Sequence, residues 1–367
     1  MKILFLAPAN SIHSYRWIKY FSDKGYELFW ISFHNLEFSQ FENAAYYQLE
    51  KPSNLFNLWQ ISRKVNKLIK EIRPDIVHVH SVAVYGLIGA LTSFHPIIAT
   101  AWGSDVLQAQ RSFMRKVLVR YILKKMDLIT TDAYHMIKAI QKLGIDKIKV
   151  KFICFGIDSN KFQPMQKNLK LLEQLMVLNC LTIISLRNLL PIYDIETLIK
   201  AAPDVLKEIP SAKFIIVGTG FQERMLKNLS EELGVSKSIR FVGRIQNTEL
   251  RDYLTSMDVY VSTSLSDAGI AASTAEAMAC GLPVVVTDSG ENKEWILDGE
   301  TGFIVSIKDY KSLSKKINVL LKNEGLRNKF GTKCREIIQN NNDYYKEMEK
   351  IENYYRELSK VLVCKDG

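Results

Sequence analysis

The 367-residue sequence predicts an α/β protein of two doubly wound domains, each a parallel sheet covered by helices on both faces. Three observations predict it. Apolar strand-length runs alternate with helix-length amphipathic segments from Lys2 to Ile153. The alternation restarts near Leu181, after a polar, aperiodic stretch from Phe162 to Leu178 that reads as a linker. The length suits about two domains.

Taken in order, Lys2–Ala7 reads as a buried strand rather than a signal peptide, because its apolar run is short and leads straight into polar sequence. Ser14–Lys24 follows as a helix stopped by Gly25, and Glu27–Phe33 as a second strand. An irregular stretch separates this from the helix Asn57–Ile72, whose Leu58, Ile61, Val65, Leu68, Ile69 and Ile72 recur at helical spacing before Pro74. Asp75–His80, Pro96–Ala101, Asp127–Thr131 and Ile148–Ile153 read as strands. Val82–Leu91, Arg111–Lys125 and Ala133–Leu143 read as the helices between them. In the second half Leu181–Leu186, Lys213–Val217, Ile239–Val242, Val259–Ser262, Pro283–Thr287 and Gly302–Val305 are the strands. Ile192–Glu208, Phe221–Leu233, Thr248–Met257 and Ser273–Cys280 are the helices. From Tyr310 the chain is helical to about residue 360, with breaks expected near Gly331 and at Asn340–Asn342.

Ligands of such sheets sit at the carboxyl ends of strands. The stretch Ser264–Asp288 stands out there: a Gly-bearing turn, a short small-residue helix carrying Glu276, a stop at Gly281 and Pro283, then a β-branched strand. An open loop leading into a helix N-terminus offers unpaired N–H groups and a helix dipole to a phosphate. Glu276, one turn inside, can reach hydroxyls attached to that phosphate. An ordinary crossover with Glu276 in solvent would have the same pattern.

The net charge of +10 is unevenly placed: residues 1–165 hold 22 Lys and Arg against 12 Asp and Glu, and the remainder is balanced at 27 of each. A basic half suggests an anionic neighbour, such as a membrane surface or a phosphorylated acceptor. A merely basic surface is the plainer reading, and no nucleic-acid module accompanies it. The five cysteines are odd in number and lack CxxC spacing, which argues for a reducing compartment. The six histidines include the pair His78 and His80 but no HExxH, so no metal is implied. No apolar run approaches the ~18 residues of a membrane span.

EAMACGLPVV, near the end of the second doubly wound half, resembles the retaining glycosyltransferases of the GT-B type, family 4 (glycosyl transferases group 1). FIIVGTGFQERMLKNL is similar to that family's strand–GxG–helix, and IRFVGRIQNTELRDYLTSMDVYVSTS to the segment after it. ICFGIDSNKFQP resembles the run that closes its N-terminal domain. The resemblance spans nearly the whole chain. It implies two Rossmann-like domains facing across a cleft. The N-terminal one (1–165) would bind the acceptor and the C-terminal one (166–340) the nucleotide sugar. The last helix (341–367) would then cross back to the N-terminal domain.

By that resemblance Glu276 binds the donor ribose, Gly269, Ile270 and Ala271 hold donor phosphates and sugar through their backbone, and Arg187 binds the diphosphate. Gly218 and Gly220 form the GxG turn, and Arg244 follows Gly243 at a strand end, where it either meets phosphate or is solvated. A fixed guanidinium suits the charge that grows on a leaving diphosphate. Asp105 and His13 are candidates for orienting the acceptor hydroxyl. A turn-forming Asp105 is the alternative, and His78 and His80 rank behind. The sequence departs from the family at four places. The usual acid before EAMA is Ala268, and Asp267 next to it can substitute. The usual lysine is Tyr193. The usual N-terminal glycine pair is absent, with His13 and Arg16 nearby. The usual histidine of TxHG is Trp102.

The implied activity is retaining transfer of a hexose from a nucleotide sugar, UDP-linked before GDP-linked, without metal or other cofactor. The acceptor would be a glycan or lipid-linked saccharide in bacterial surface polysaccharide synthesis, such as capsule or lipopolysaccharide. A non-catalytic subunit supporting a partner transferase, or a sugar-nucleotide epimerase, are the competing readings. The location would be cytoplasmic. Residues 111–125, with six cations, no acid and interleaved apolar residues, could lie peripherally on the inner face of the membrane. The same helix simply packed on the sheet is the alternative.

Overall fold

The computed structural model describes residues 1–363 apart from Gln40, Gln108, Gln110, Arg111 and Ala268. Cys364, and the expected helix start at Arg111, therefore lie outside the described residues. The chain forms two compact units, Met1–Phe155 with Tyr345–Gly367, and Gly156–Tyr344.

The first unit begins β1 (Lys2–Leu6), α1 (Ile12–Asp23), β2 (Glu27–Ser32), β3 (Ala44–Gln48), α2 (Leu55–Ile72) and β4 (Ile76–His80). It continues α3 (Val84–Ala90), β5 (Ile97–Ala101), α4 (Ser104–Leu107), α5 (Phe113–Lys125), β6 (Leu128–Thr131), α6 (Tyr134–Lys142) and β7 (Val150–Phe152). Its strands are all parallel, in the order β3-β2-β1-β4-β5-β6-β7. Alternation along β1 and β4 splits the core in two. Leu4, Leu6, Val77 and Val79 join Ile61 and Val65 of α2, Ile88 of α3 and Ile122 of α5 on one face. Phe5, His78 and His80 meet Trp17 of α1 on the other.

The second unit contains α7 (Leu169–Gln174), β8 (Thr182–Leu186), α8 (Ile195–Glu208), β9 (Lys213–Val217), α9 (Glu223–Glu232), β10 (Ile239–Gly243) and α10 (Leu250–Ser256). Then come β11 (Val259–Ser262), α11 (Ala272–Ala279), β12 (Val284–Thr287), α12 (Asn292–Trp295), β13 (Gly302–Val305), α13 (Tyr310–Lys322) and α14 (Glu324–Asn341). Its parallel sheet has the order β10-β9-β8-β11-β12-β13, the doubly wound pattern. Central strands such as VVVT in β12 are fully buried, which is why they are continuous β-branched runs rather than alternating ones.

The last helix, α15 (Tyr344–Val363), packs on the first unit. Its Glu352 accepts hydrogen bonds from Tyr20 at 2.8 Å and Tyr26 at 2.7 Å, and pairs with Lys24 and Arg356. Burial raises the pKa of this carboxyl, but the donors outweigh it and hold it at about 2. Tyr355 bonds the ring of His78.

Three expectations change. The irregular stretch contains β3, an edge strand paired in register with β2. The linker contains α7, capped by Asn168 and tied to α10 through Asp252 and Ser256. Gly331 does not break a helix: it is buried inside α14, where lack of a side chain lets α14 approach Gly281 just beyond α11. The first break falls instead at Asn323, and the one expected at Asn340–Asn342 falls at 342–343.

Candidate active site

Four strand-end loops of the second unit converge. They follow β8 (187–189), β9 (218–222), β10 (244–247) and β11 (263–271). The first two are bound together: Leu189 N donates to Thr219 O at 3.0 Å, and Gln222 N to Leu189 O at 3.2 Å. Gly218 and Gly220 make this approach possible, since a Cβ at either would stand 2.3 Å from Arg187 O or 2.1 Å from Leu189 O. These two glycines thus fit loop to loop, and Gly218 also lines a cavity of about 270 Å³ with Arg187, Arg244, Gln246, Asn247 and Ser273.

Arg187 leaves the end of β8 and is 9% exposed. Its Nη2 donates to Ser264 Oγ at 2.7 Å and to Asp267, and its guanidinium carbon lies 4.3 Å from the Tyr193 ring centre. Tyr193, standing where the family has lysine, thus supports the guanidinium by a cation–π contact and adds no charge. Asp267 meets Arg187 directly, a pairing across 80 residues that sequence reasoning missed. Ala268 lies outside the described residues.

Gly269, Ile270 and Ala271 lead into α11, where Ala271 is the N-cap without a side-chain cap bond. The first N–H groups of a helix have no intrahelical partner and carry the positive end of its dipole. Tyr260 fixes this end from below, its hydroxyl meeting Ser273 Oγ at 2.9 Å and Thr274 Oγ1 at 3.4 Å. Glu276 sits one turn further, half-buried. Arg335 of α14 closes the other end, donating to Ala279 O at 2.7 Å. Burial, and then Glu276, pushes the thiol of nearby Cys280 up to about 12.

The first-unit candidates are placed differently. Asp105 accepts from Val82 N at 2.7 Å, Val106 N at 3.0 Å and Trp102 N at 3.2 Å. Both its oxygens accept from backbone N–H groups, of its own turn and of the connection after β4, which is the structural role of the turn-forming alternative. His13, in α1, lies against Phe155 in a tilted contact with ring centres 4.1 Å apart, and meets Trp102 edge-on at 6.1 Å. Its pKa is lowered by burial and then by Arg16 on the next turn. His78 and His80 are both core residues. His78 bonds Tyr355 and Thr100, and His80 bonds Ser14 Oγ at 3.1 Å. Burial pushes His80 down to about 3. Among the described residues no three His, Cys, Asp or Glu gather as metal ligands, and no helix is long and apolar enough to cross a membrane.

Known proteins share this architecture. The model for glycosyl transferases group 1 matches residues 178–337, and that for glycosyl transferase 4-like proteins matches residues 2–133. A UDP-Gal:alpha-D-GlcNAc-diphosphoundecaprenol alpha-1,3-galactosyltransferase of Escherichia coli is 25% identical over 306 residues, 80% of this chain and 78% of that one. A GDP-mannose-dependent alpha-(1-6)-phosphatidylinositol monomannoside mannosyltransferase of Mycolicibacterium smegmatis is 25% identical over 271 residues, 71% of each. The structure of Anabaena HepE in complex with UDP has a TM-score of 0.83 at 20% identity, covering 98% of this chain and all of that one. With two GT-B sheets and both family models in sequence, the chain belongs to the family 4 glycosyltransferases, glycosyl transferases group 1.

Proposed function

We propose that the chain moves a hexose from a nucleotide sugar, UDP-linked before GDP-linked, to a glycan or lipid-linked acceptor of bacterial surface polysaccharide synthesis, with retention of anomeric configuration. The observation that carries this reading is Arg187: a buried guanidinium beside a strand-end cavity and the uncapped N-terminus of α11. Glu276 binds the ribose, and the backbone at 269–271 holds the diphosphate. The leaving phosphate takes the proton of the incoming hydroxyl on the same face, so no protein nucleophile is needed. The protein contributes position and fixed positive charge. The N-terminus of α11 and Arg244 add positive charge beside the Arg187–Asp267 pair, which supports a reaction without metal. The preference for UDP rests on the UDP complex of HepE and on the UDP-Gal-dependent relative.

We place the acceptor at the inner face of the cytoplasmic membrane. Only Val119, Ile122 and Leu123 of α5 are buried, whereas Phe113 and Met114 are 81% and 80% exposed among Arg115, Lys116 and Arg120. On the same sheet face, α2 exposes Leu55, Phe56 and Trp59, with Arg63 4.0 Å over the Trp59 ring. Apolar side chains among cations suit an anionic bilayer.

The test is release of nucleotide from a panel of UDP- and GDP-sugars, with bacterial lipid-linked saccharides as acceptors, with and without EDTA. Transfer with one donor, unchanged by EDTA and giving an α-linked product from an α-linked donor, is expected. Binding of no nucleotide, or turnover lost with EDTA, overturns the corresponding part.

A further inference from the structure

The guanidinium assigned to the diphosphate is already neutralised by an acid of its own chain. Arg187 and Asp267 are 9% and 12% exposed, so little water screens their pairing. The acid is held in place. Thr263 Oγ1 donates to Tyr193 O at 3.0 Å and Leu265 N to Ile192 O at 2.8 Å, which fixes the Asp267 loop to the turn that stacks on Arg187. From the other side, Gly290 lies so close that a Cβ would stand 2.5 Å from Asp267 O. Two atoms of the pair, Arg187 Nε and Asp267 Oδ2, are buried and have no hydrogen-bond partner among the described residues. One is a donor and the other an acceptor. Buried polar groups are costly until paired, so this pair suits a ligand that offers an anionic oxygen next to a hydroxyl.

We propose that Asp267 sorts the two nucleotides this site must handle, favouring the sugar-bearing donor over the free nucleoside diphosphate and so speeding product release. This rests on the donor reading above. A nucleoside diphosphate sugar carries one negative charge on each phosphate. The free diphosphate gains a further charge on its terminal phosphate above a pH of about 6. That extra charge sits where the sugar has departed. The donor offers a hydroxyl there for Oδ2 to accept, whereas the product brings charge against a fixed carboxylate. Arg187 and Asp267 sum to zero, and Tyr193 contributes nothing to attract the additional charge.

The experiment is calorimetric binding at pH 8 of a nucleoside diphosphate and its sugar, with the base chosen by the donor panel, to wild type, Asp267→Asn and Asp267→Glu. Asp267→Asn should bind the free diphosphate roughly tenfold tighter, about 1.4 kcal/mol, with donor affinity unchanged or weaker. Asp267→Glu should keep the wild-type ratio. A second measurement needs no variant: the terminal methyl ester of the diphosphate, with one charge fewer, should bind wild type at least as well as the diphosphate itself. An unchanged ratio in a folded Asp267→Asn, or an ester that binds more weakly than the diphosphate, overturns the proposal. Wild type that binds neither nucleotide overturns the donor reading, and this inference with it.

Discussion

Replacing Gly331 with alanine should unseat the helix that carries Glu276. Gly331 lies inside α14, and a Cβ there would stand 1.9 Å from Gly281 O and 2.9 Å from its carbonyl carbon. Both atoms are backbone, so no side chain can swing aside. Relief requires α14 and α11 to part, and the Arg335 bond to Ala279 O resists that. Alanine gains about 1 kcal/mol over glycine in a helix interior. Overpacking costs about 1–3 kcal/mol, and a backbone clash belongs at the upper end. The net expectation is a loss of about 2 kcal/mol, or about 4–8 °C in the melting of a unit this size. Gly325→Ala in the same helix is the control, because its nearest neighbour is Asn323 Oδ1 at 3.5 Å, an ordinary contact. That variant should match wild type or gain a few tenths of a kcal/mol. Thermal melts followed by circular dichroism, with nucleotide titrations alongside, read both effects. If Gly331→Ala melts with wild type and binds nucleotide equally well, the close approach of α14 does not support α11.

Glu276→Ala should weaken binding of the nucleotide sugar by about 1.5–3 kcal/mol, the value of a hydrogen bond to a charged group, while leaving the melting point nearly unchanged. Equal affinity in calorimetry would remove Glu276 from the ribose. Acid should unfold the first unit early. His80, His78 and His13 all have lowered pKa values, chiefly from burial, so below 6.5 the unfolded chain takes up protons that the folded chain refuses. Their stabilisation is complete above pH 6.5 and shrinks as pH falls, by about 1.4 kcal/mol per unit for His80 down to about 3. Glu352 acts lower: its contribution is present above 4.5 and lost as pH falls towards 2. Urea midpoints that stay level between pH 7 and 5 would refute the histidine part.

The two sheets were legible because twelve of their strands are apolar runs between Gly, Pro and charged residues, and burial on both faces gives that pattern directly. β3 escaped because AAYYQ is an edge strand with one buried residue, and nothing in its composition separates it from the polar stretch around it. α7 escaped because six residues give too few turns to show a period. Gly331 misled because glycine as helix breaker and glycine as close-packing residue are identical in sequence. At the candidate site, the placement of Arg187 at the end of β8 and of Glu276 inside α11 was readable from their motifs. The contact of Arg187 with Asp267 and Tyr193 was not, because it depends on how two loops lie across each other. Asp105 and the two β4 histidines were ambiguous for the opposite reason: they are polar residues that the fold spends on its own hydrogen bonds.

The course of the chain also has a consequence for synthesis. The first unit is not contiguous: Glu352 and Tyr355 complete contacts with Tyr20, Tyr26 and His78 that residues 1–155 cannot make alone. The second unit, 156–344, is contiguous. Domains emerging from a ribosome generally fold in the order they are made. Here the half translated first must wait for the last helix, so the nascent chain should reach a folded second unit while the first still exposes Tyr20 and His78.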